Sequence, residues 1–223
     1  MTIPQGGILI VAAVSQELQD FHPDGDLRVE RLITGMGPRA GEPVRRRLAR
    51  GGVGLVVSAG FSGGVRPGFR TGDLVMASEV IEAAGGRRWN PAPLSFGTGR
   101  AISVGPFVTV ERPLSDPRAK LEAGARFGAI AADMETAAVA RSAQALGVAW
   151  VAVRAILDPM EVPLAVRSRA QALRMLAAPG RWKEFAGFLQ TVRTASRSLA
   201  DGLHLWVEQF TQPVISRPAG REI

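Results

Sequence analysis

The chain contains no cysteine, which excludes a disulfide framework, thiolate metal ligation and a cysteine nucleophile, and which fits a reducing compartment. It has two histidines, His22 and His204, so a multi-histidine metal centre would need residues pooled from several subunits, and no metal is expected. Lysine is equally scarce. Lys120 and Lys183 stand alone among 27 basic residues, the rest being arginine, in a chain of net charge +7. Such a bias is compositional; the basic residues are spread out and no recognised motif accompanies them, so no nucleic-acid partner is expected. No apolar run reaches the roughly 18 residues of a membrane span. The apolar segment 1–14 lacks both the basic start and the small-residue cleavage site of a signal peptide, so a cytoplasmic protein is expected. No internal repeat or linker interrupts the 223 residues. One domain over 1–212 follows, with 213–223 as a poorly ordered tail.

What is present is an alternation of short apolar, β-branched runs with helix-like stretches, the pattern of an α/β fold with a mixed central sheet flanked by helices. Strands are expected at Gly7–Val14, Leu27–Thr34, Gly54–Ala59, Asp73–Val80, Ala101–Val104, Ala129–Ala132 and Trp150–Ile156. Helical spacing marks Glu42–Arg50, Asp116–Ala125, Glu135–Leu146 and Arg167–Leu176, the last two closed by Gly147 and by Pro179-Gly180. The aperiodic stretch Ala83–Arg100, with an exposed-looking Trp89, reads equally as a lid or a plain connection. From Trp182, an apolar stripe runs through Phe185, Leu189, Val192, Leu199, Leu203, Trp206 and Phe210, with Ser196 in its one gap. It is expected to pack on the protein's own sheet or a partner subunit. The sharper alternative is that Arg181, Lys183, Arg193 and Arg197 beside it rest on an anionic bilayer.

In open α/β sheets, ligands bind beyond the carboxyl ends of the strands. The residues there are Ser15, Gln16 and Glu17, then Gly35-Met36-Gly37, then Gly60-Phe61-Ser62-Gly63-Gly64, Phe107, Asp133-Met134-Glu135 and Asp158. Carboxylates, two glycine-rich turns and an aromatic suit a neutral, hydroxyl-rich ligand better than a polyanion. The Gly60–Gly64 segment matches neither the dinucleotide fingerprint nor the P-loop, and taken alone it is a tight reversal. Asp133-Met134-Glu135, taken alone, is explained by carboxylates favouring a helix N-terminus. Arg154, inside an apolar strand, needs an acidic partner elsewhere in the chain.

These residues resemble the nucleoside phosphorylase and nucleosidase superfamily, over roughly Ile8 to Leu203. The resemblance rests on Ala132-Asp133-Met134-Glu135-Thr136-Ala137-Ala138-Val139-Ala140 and Val153-Arg154-Ala155-Ile156-Leu157-Asp158. It also rests on Ile10 to Leu18, Thr34-Gly35-Met36-Gly37-Pro38 and Gly72-Asp73-Leu74-Val75. The N-terminal part is similar to methylthioadenosine/S-adenosylhomocysteine nucleosidases and futalosine hydrolases. From Asp158-Pro159 through Ala178-Pro179-Gly180-Arg181 to Ser196-Arg197-Ser198-Leu199, the chain is closer to hopanoid-biosynthesis-associated phosphorylases, thought to remove adenine from an adenosyl-lipid.

The resemblance implies cleavage of the N-glycosidic bond of a purine nucleoside, without a cofactor, by a homo-oligomer, dimer or larger. It implies Asp158 as the acid that protonates the purine, Glu135 and Met134 at the ribose, and Phe107 with the Val108 backbone at the base. Glu17 would activate water in a hydrolase. Ser62, Gly63 and Gly37 would hold water or, in a phosphorylase, a phosphate co-substrate, with Arg28, Arg31 or Arg39 in reach. Glu17, which would repel phosphate, favours hydrolysis, and both chemistries stay open. Leu157 departs from the serine that many relatives carry before the aspartate. It keeps a second class of function open, a purine- or nucleoside-binding module with impaired catalysis.

Overall fold

The computed structural model describes residues 6–23, 28–94, 101–163 and 182–208. The helix expected at Arg167–Leu176, its stop at Pro179-Gly180, and the tail 213–223 lie outside these residues. Among them, eight strands form one mixed sheet. They are β1 (Gly7–Ala12), β2 (Val29–Ile33), β3 (Val53–Gly64), β4 (Leu74–Glu82), β5 (Arg88–Trp89), β6 (Ser103–Thr109), β7 (Ala131–Asp133) and β8 (Ala149–Asp158). Four helices flank it: α1 (Gly41–Leu48), α2 (Pro117–Phe127), α3 (Thr136–Ala145) and α4 (Trp182–Glu208).

β3 pairs with β8, β8 with β4, β4 with β6, β6 with β7, and β7 returns to β3 at Gly63 and Gly64, so these strands close into a ring. β1 and β2 continue the sheet outward from β3, both in parallel. The central strands are apolar without polar alternation because both their faces are covered. In β8, Val151, Val153 and Ala155 face one core cluster, which includes Leu199, Leu203 and Trp206 of α4. Trp150, Ala152 and Ile156 face a second, shared with Val44 of α1 and Ala137, Val139, Ala140 and Ala143 of α3. The apolar stripe of α4 thus packs, in its C-terminal half, on the protein's own sheet. The Trp182 side chain and Phe210 lie outside the described residues.

Three expectations need correction. The Gly60–Gly64 segment is not a turn: β3 runs straight through it, paired with β8 as far as Gly63. The missing side chains serve packing inside the strand, because a Cβ on Gly60 would stand 2.5 Å from Glu17 Oε1. β6 begins later and extends further than Ala101–Val104, so Phe107 and Val108 are inside a strand rather than beyond its end. Trp89 is only 8% exposed; in β5 it pairs with Val80 and packs in the second core cluster. That strand, together with an Ala92 N–H bond to the Trp150 carbonyl, fastens the described part of the Ala83–Arg100 stretch to the sheet.

Candidate active site

One cavity of about 500 Å³ opens over the ends of β3, β7 and β8, lined by Glu17, Ser62, Gly63, Met134, Glu135 and Asp158 together with apolar side chains. Each carboxylate is delivered by a different piece of backbone. A 3₁₀ turn (Ser15–Leu18) follows β1 and carries Glu17. Its Oε2 accepts from the backbone N–H of Ala13 at 2.7 Å and of Val14 at 3.0 Å, and its Oε1 from Phe61 N–H at 2.8 Å. Burial pushes the Glu17 carboxyl above its ordinary range, while these three N–H donors favour the charged form. With the carboxylate held at three points, it cannot move aside for a methyl group on Gly60. Gly60→Ala is therefore expected to leave the protein folded and to cut turnover about tenfold or more, read as kcat beside a melting curve.

Glu135 sits between β7 and α3, where the chain leaves an extended strand for a helix. Its Oε1 accepts from Gly37 N–H at 2.6 Å, and Gly37 adopts φ 84°, a left-handed conformation that glycine takes without strain. Burial, reinforced by the neighbouring Asp133 charge, raises the Glu135 carboxyl to about 7. Asp133 itself is the partner that Arg154 requires: Arg154 Nη2 donates to its Oδ2 at 2.8 Å, and Thr109 Oγ1 to its Oδ1 at 2.8 Å. Arg154 also donates to the Ser58 carbonyl and hydroxyl. This buried network supports the cavity floor, and a buried ion pair with its remaining donors satisfied avoids the cost of an isolated charge.

Asp158 ends β8, and its Oδ2 lies 2.6 Å from Lys120 Nζ of α2. Burial raises its carboxyl to about 6, held back from going higher by Lys120. Ser62 Oγ, buried and without a hydrogen-bond partner among the described residues, lines the same cavity. A buried hydroxyl left unpaired costs free energy unless a ligand or water completes it. Leu157 also lines the cavity, while its carbonyl accepts from Thr71 Oγ1 at 3.1 Å.

The structure thus brings Glu17, Ser62, Gly63, Met134, Glu135 and Asp158 together, with Gly37 behind Glu135. Phe107 and Val108 are fully buried in separate core clusters and are not among the lining residues. Val110, Pro113 and Leu114, just after β6, line the cavity instead. Sequence reading missed the wall formed by Phe185, Phe188, Leu189 and Val192 of α4, and it missed Lys120. The apolar stripe of α4 signalled the first, and the rarity of lysine in this arginine-rich chain signalled the second. Arg28, Arg31 and Arg39 do not line the cavity; Arg31 donates instead to the Phe21 carbonyl.

Comparison with known proteins bears on the fold. The Phosphorylase superfamily model matches residues 94–201. No curated protein sequence matches the chain. The 5'-methylthioadenosine/S-adenosylhomocysteine nucleosidase of Neisseria meningitidis, solved with methylthio-immucillin-A, superposes with a TM-score of 0.70 at 18% identity, covering 91% of this chain and 99% of that one. The S-adenosylhomocysteine nucleosidase of Streptococcus pyogenes gives 0.69 at 19%, with 93% and 98% covered. The futalosine hydrolase of Helicobacter pylori gives 0.66 at 14%, with 89% and 97% covered. The chain therefore carries the Phosphorylase superfamily sequence pattern over residues 94–201, on the single-domain α/β fold of the nucleosidases.

Proposed function

We propose that the protein hydrolyses the N-glycosidic bond of an adenine nucleoside. The observation that carries this reading is the convergence of Glu17, Glu135 and Asp158 on one largely apolar cavity, beside Asp133, Lys120 and Ser62. Breaking the bond to a purine leaves positive charge on the ribose carbon and negative charge on the departing base, and a site must answer both. Asp158, protonated, donates its proton to the purine ring so that the base leaves neutral. Its raised pKa makes the acid form accessible near neutrality. Glu135 accepts hydrogen bonds from the ribose hydroxyls, and Met134 packs against the sugar. Water, with Ser62 as a partner, adds to the ribose carbon and gives its proton to Glu17. The C–N bond breaks, a C–O bond forms, and solvent returns the proton from Glu17 to Asp158.

Hydrolysis is favoured over phosphorolysis because Lys120 is the one cation lining the cavity among the described residues, and it is committed to Asp158. A phosphate dianion would face three carboxylates. The names of the structural neighbours, nucleosidases and a hydrolase, agree with this reading. The apolar wall of Phe185, Phe188, Leu189 and Val192 suits an apolar 5′ substituent, and the adenosylated hopanoid of the resemblance is our substrate candidate. A homo-oligomer and peripheral contact of α4 with an anionic bilayer belong to the same proposal. Sedimentation and liposome flotation read them.

The decisive experiment incubates the protein with adenosine, methylthioadenosine and an adenosylated lipid, with and without phosphate. Release of adenine and a free sugar, independent of phosphate, is expected. Sugar 1-phosphate formed only with phosphate would assign phosphorolysis instead. Tight adenine binding with no release from any nucleoside would make the chain a binding module, the reading that Leu157 keeps open.

A further inference from the structure

Lys120 is fully buried and belongs to a helix that carries none of the expected site residues. Its ammonium group has four oxygens around it: Asp158 Oδ2 at 2.6 Å, the Val162 carbonyl at 2.6 Å, the Pro159 carbonyl at 2.9 Å and the Asp158 carbonyl at 3.3 Å. One side chain thus ties α2 both to the acid's carboxylate and to the chain that leaves β8. The helix reaches this depth because Gly124, one turn after Lys120, has no side chain: a Cβ there would collide with the Val65 carbonyl. A lysine suits the position where an arginine would not. Its three donors radiate from a single atom onto acceptors that converge, whereas a guanidinium presents a planar fork. In a chain with 27 basic residues and two lysines, one of the two occupies this point.

We propose that Lys120 is the positioning residue of the catalytic acid: it grips Asp158 Oδ2, leaves Oδ1 for the purine, and fixes the segment 158–162 against which the acid is held. The inference rests on the reading of Asp158 as the general acid. Among the described residues, Lys120 is the side chain that bonds the carboxyl, at Oδ2, and the other donor is the acid's own backbone N–H. Lys120 also sets the proton affinity of the acid. Among the described residues, the ionisable groups around the cavity besides Asp158 are Glu17 of the 3₁₀ turn, Asp133 of β7 and Glu135 before α3, all acidic, and Lys120 of α2. The α4 residues lining the cavity, Phe185, Phe188, Leu189 and Val192, carry no charge. Lys120 is therefore the cation that offsets the burial of the Asp158 carboxylate.

Lys120→Met and Lys120→Gln remove the charge, the second retaining a hydrogen-bond donor; Lys120→Arg keeps the charge and alters the geometry. In the first two, kcat for adenine release is expected to fall about tenfold or more, with the basic limb of the pH profile displaced by about one unit to higher pH. Lys120→Arg is expected to lose rate with its basic limb in place. A fall in kcat or melting temperature with no displacement in the Met and Gln variants would reduce Lys120 to a structural tie and overturn the proposal. A readout without turnover separates this failure from failure of the functional reading. Infrared titration of wild type minus Asp158→Asn reports the Asp158 carboxyl directly, and it is expected to ionise near pH 6. If that carboxyl stays protonated beyond pH 8 in the wild-type chain, Lys120 is not coupled to it and the proposal fails, whether or not any nucleoside is cleaved. If it titrates as expected but no nucleoside releases base, the coupling stands and the nucleosidase reading falls.

Discussion

Asp158→Asn is expected to lower kcat for base release about 100-fold or more, with KM changed much less. The amide keeps the shape of the side chain and can still accept from Lys120 Nζ, so the pocket that binds the nucleoside is retained. On the proposed mechanism, what is lost is the proton that neutralises the departing purine, an interaction made only as the bond breaks. Such a loss falls on kcat and on kcat/KM together. A substrate whose base leaves readily without protonation should be spared most of the effect, which makes a leaving-group series the sharpest form of the measurement. Near wild-type rates in this variant, with adenine release as the readout, would remove Asp158 from the mechanism.

The pH dependence should be equally large and has an unusual form. On the proposed mechanism, catalysis needs Asp158 protonated with Glu17 and Glu135 ionised, while burial raises Asp158 to about 6, Glu135 to about 7 and Glu17 above its ordinary range. The Asp158 and Glu135 carboxyls both titrate near neutrality, so the productive combination is confined to a narrow range of pH. The two carboxyls titrate as coupled members of one site. kcat/KM is expected to be highest between about pH 6 and 7 and to fall about tenfold per unit on either side, reaching roughly 100-fold below the maximum near pH 9. A profile flat from pH 5 to 9 would contradict it. Stability follows the same groups. The folded pKa of Glu135 is raised above its unfolded value of about 4.5, so its stabilising contribution is complete below that pH and is lost as pH rises through about 7. The loss is of order 3 kcal/mol. Melting curves of Glu135→Gln should lack this part of the decline.

Much of this arrangement is legible in the sequence because apolar runs and strand ends are local signals. β1, β4 and β8 fall where their β-branched runs place them, and the residues just beyond or at their ends include Glu17 and Asp158. Asp133-Met134-Glu135 marks the step from β7 to α3 to within a residue. Several of the failures share a cause, which is contact between segments far apart in the chain. Gly60 and Gly63 look like turn residues until Glu17 and Asp158 are seen packed against them. Phe107 looks like a ligand platform because its strand begins two residues later than the apolar run suggested, and the actual cavity wall starts at Val110. Trp89 sits in a polar, glycine-rich stretch and is buried only through a two-residue strand whose partner, β4, lies several residues earlier. Lys120 presents an ordinary helix position whose role depends on oxygens about 40 residues away.

The two halves of α4 carry different duties. Its C-terminal half, with Leu199, Leu203 and Trp206 fully buried, is anchored in the core, whereas Phe185, Phe188, Leu189 and Val192 line the cavity. None of the three carboxylates is carried by this helix. Substitutions along its first turns can therefore reshape which molecules are admitted while the proton-handling groups keep their places. On the proposed function, substrate range and reaction chemistry are in this way separately heritable, and a lineage can retune the one without putting the other at risk.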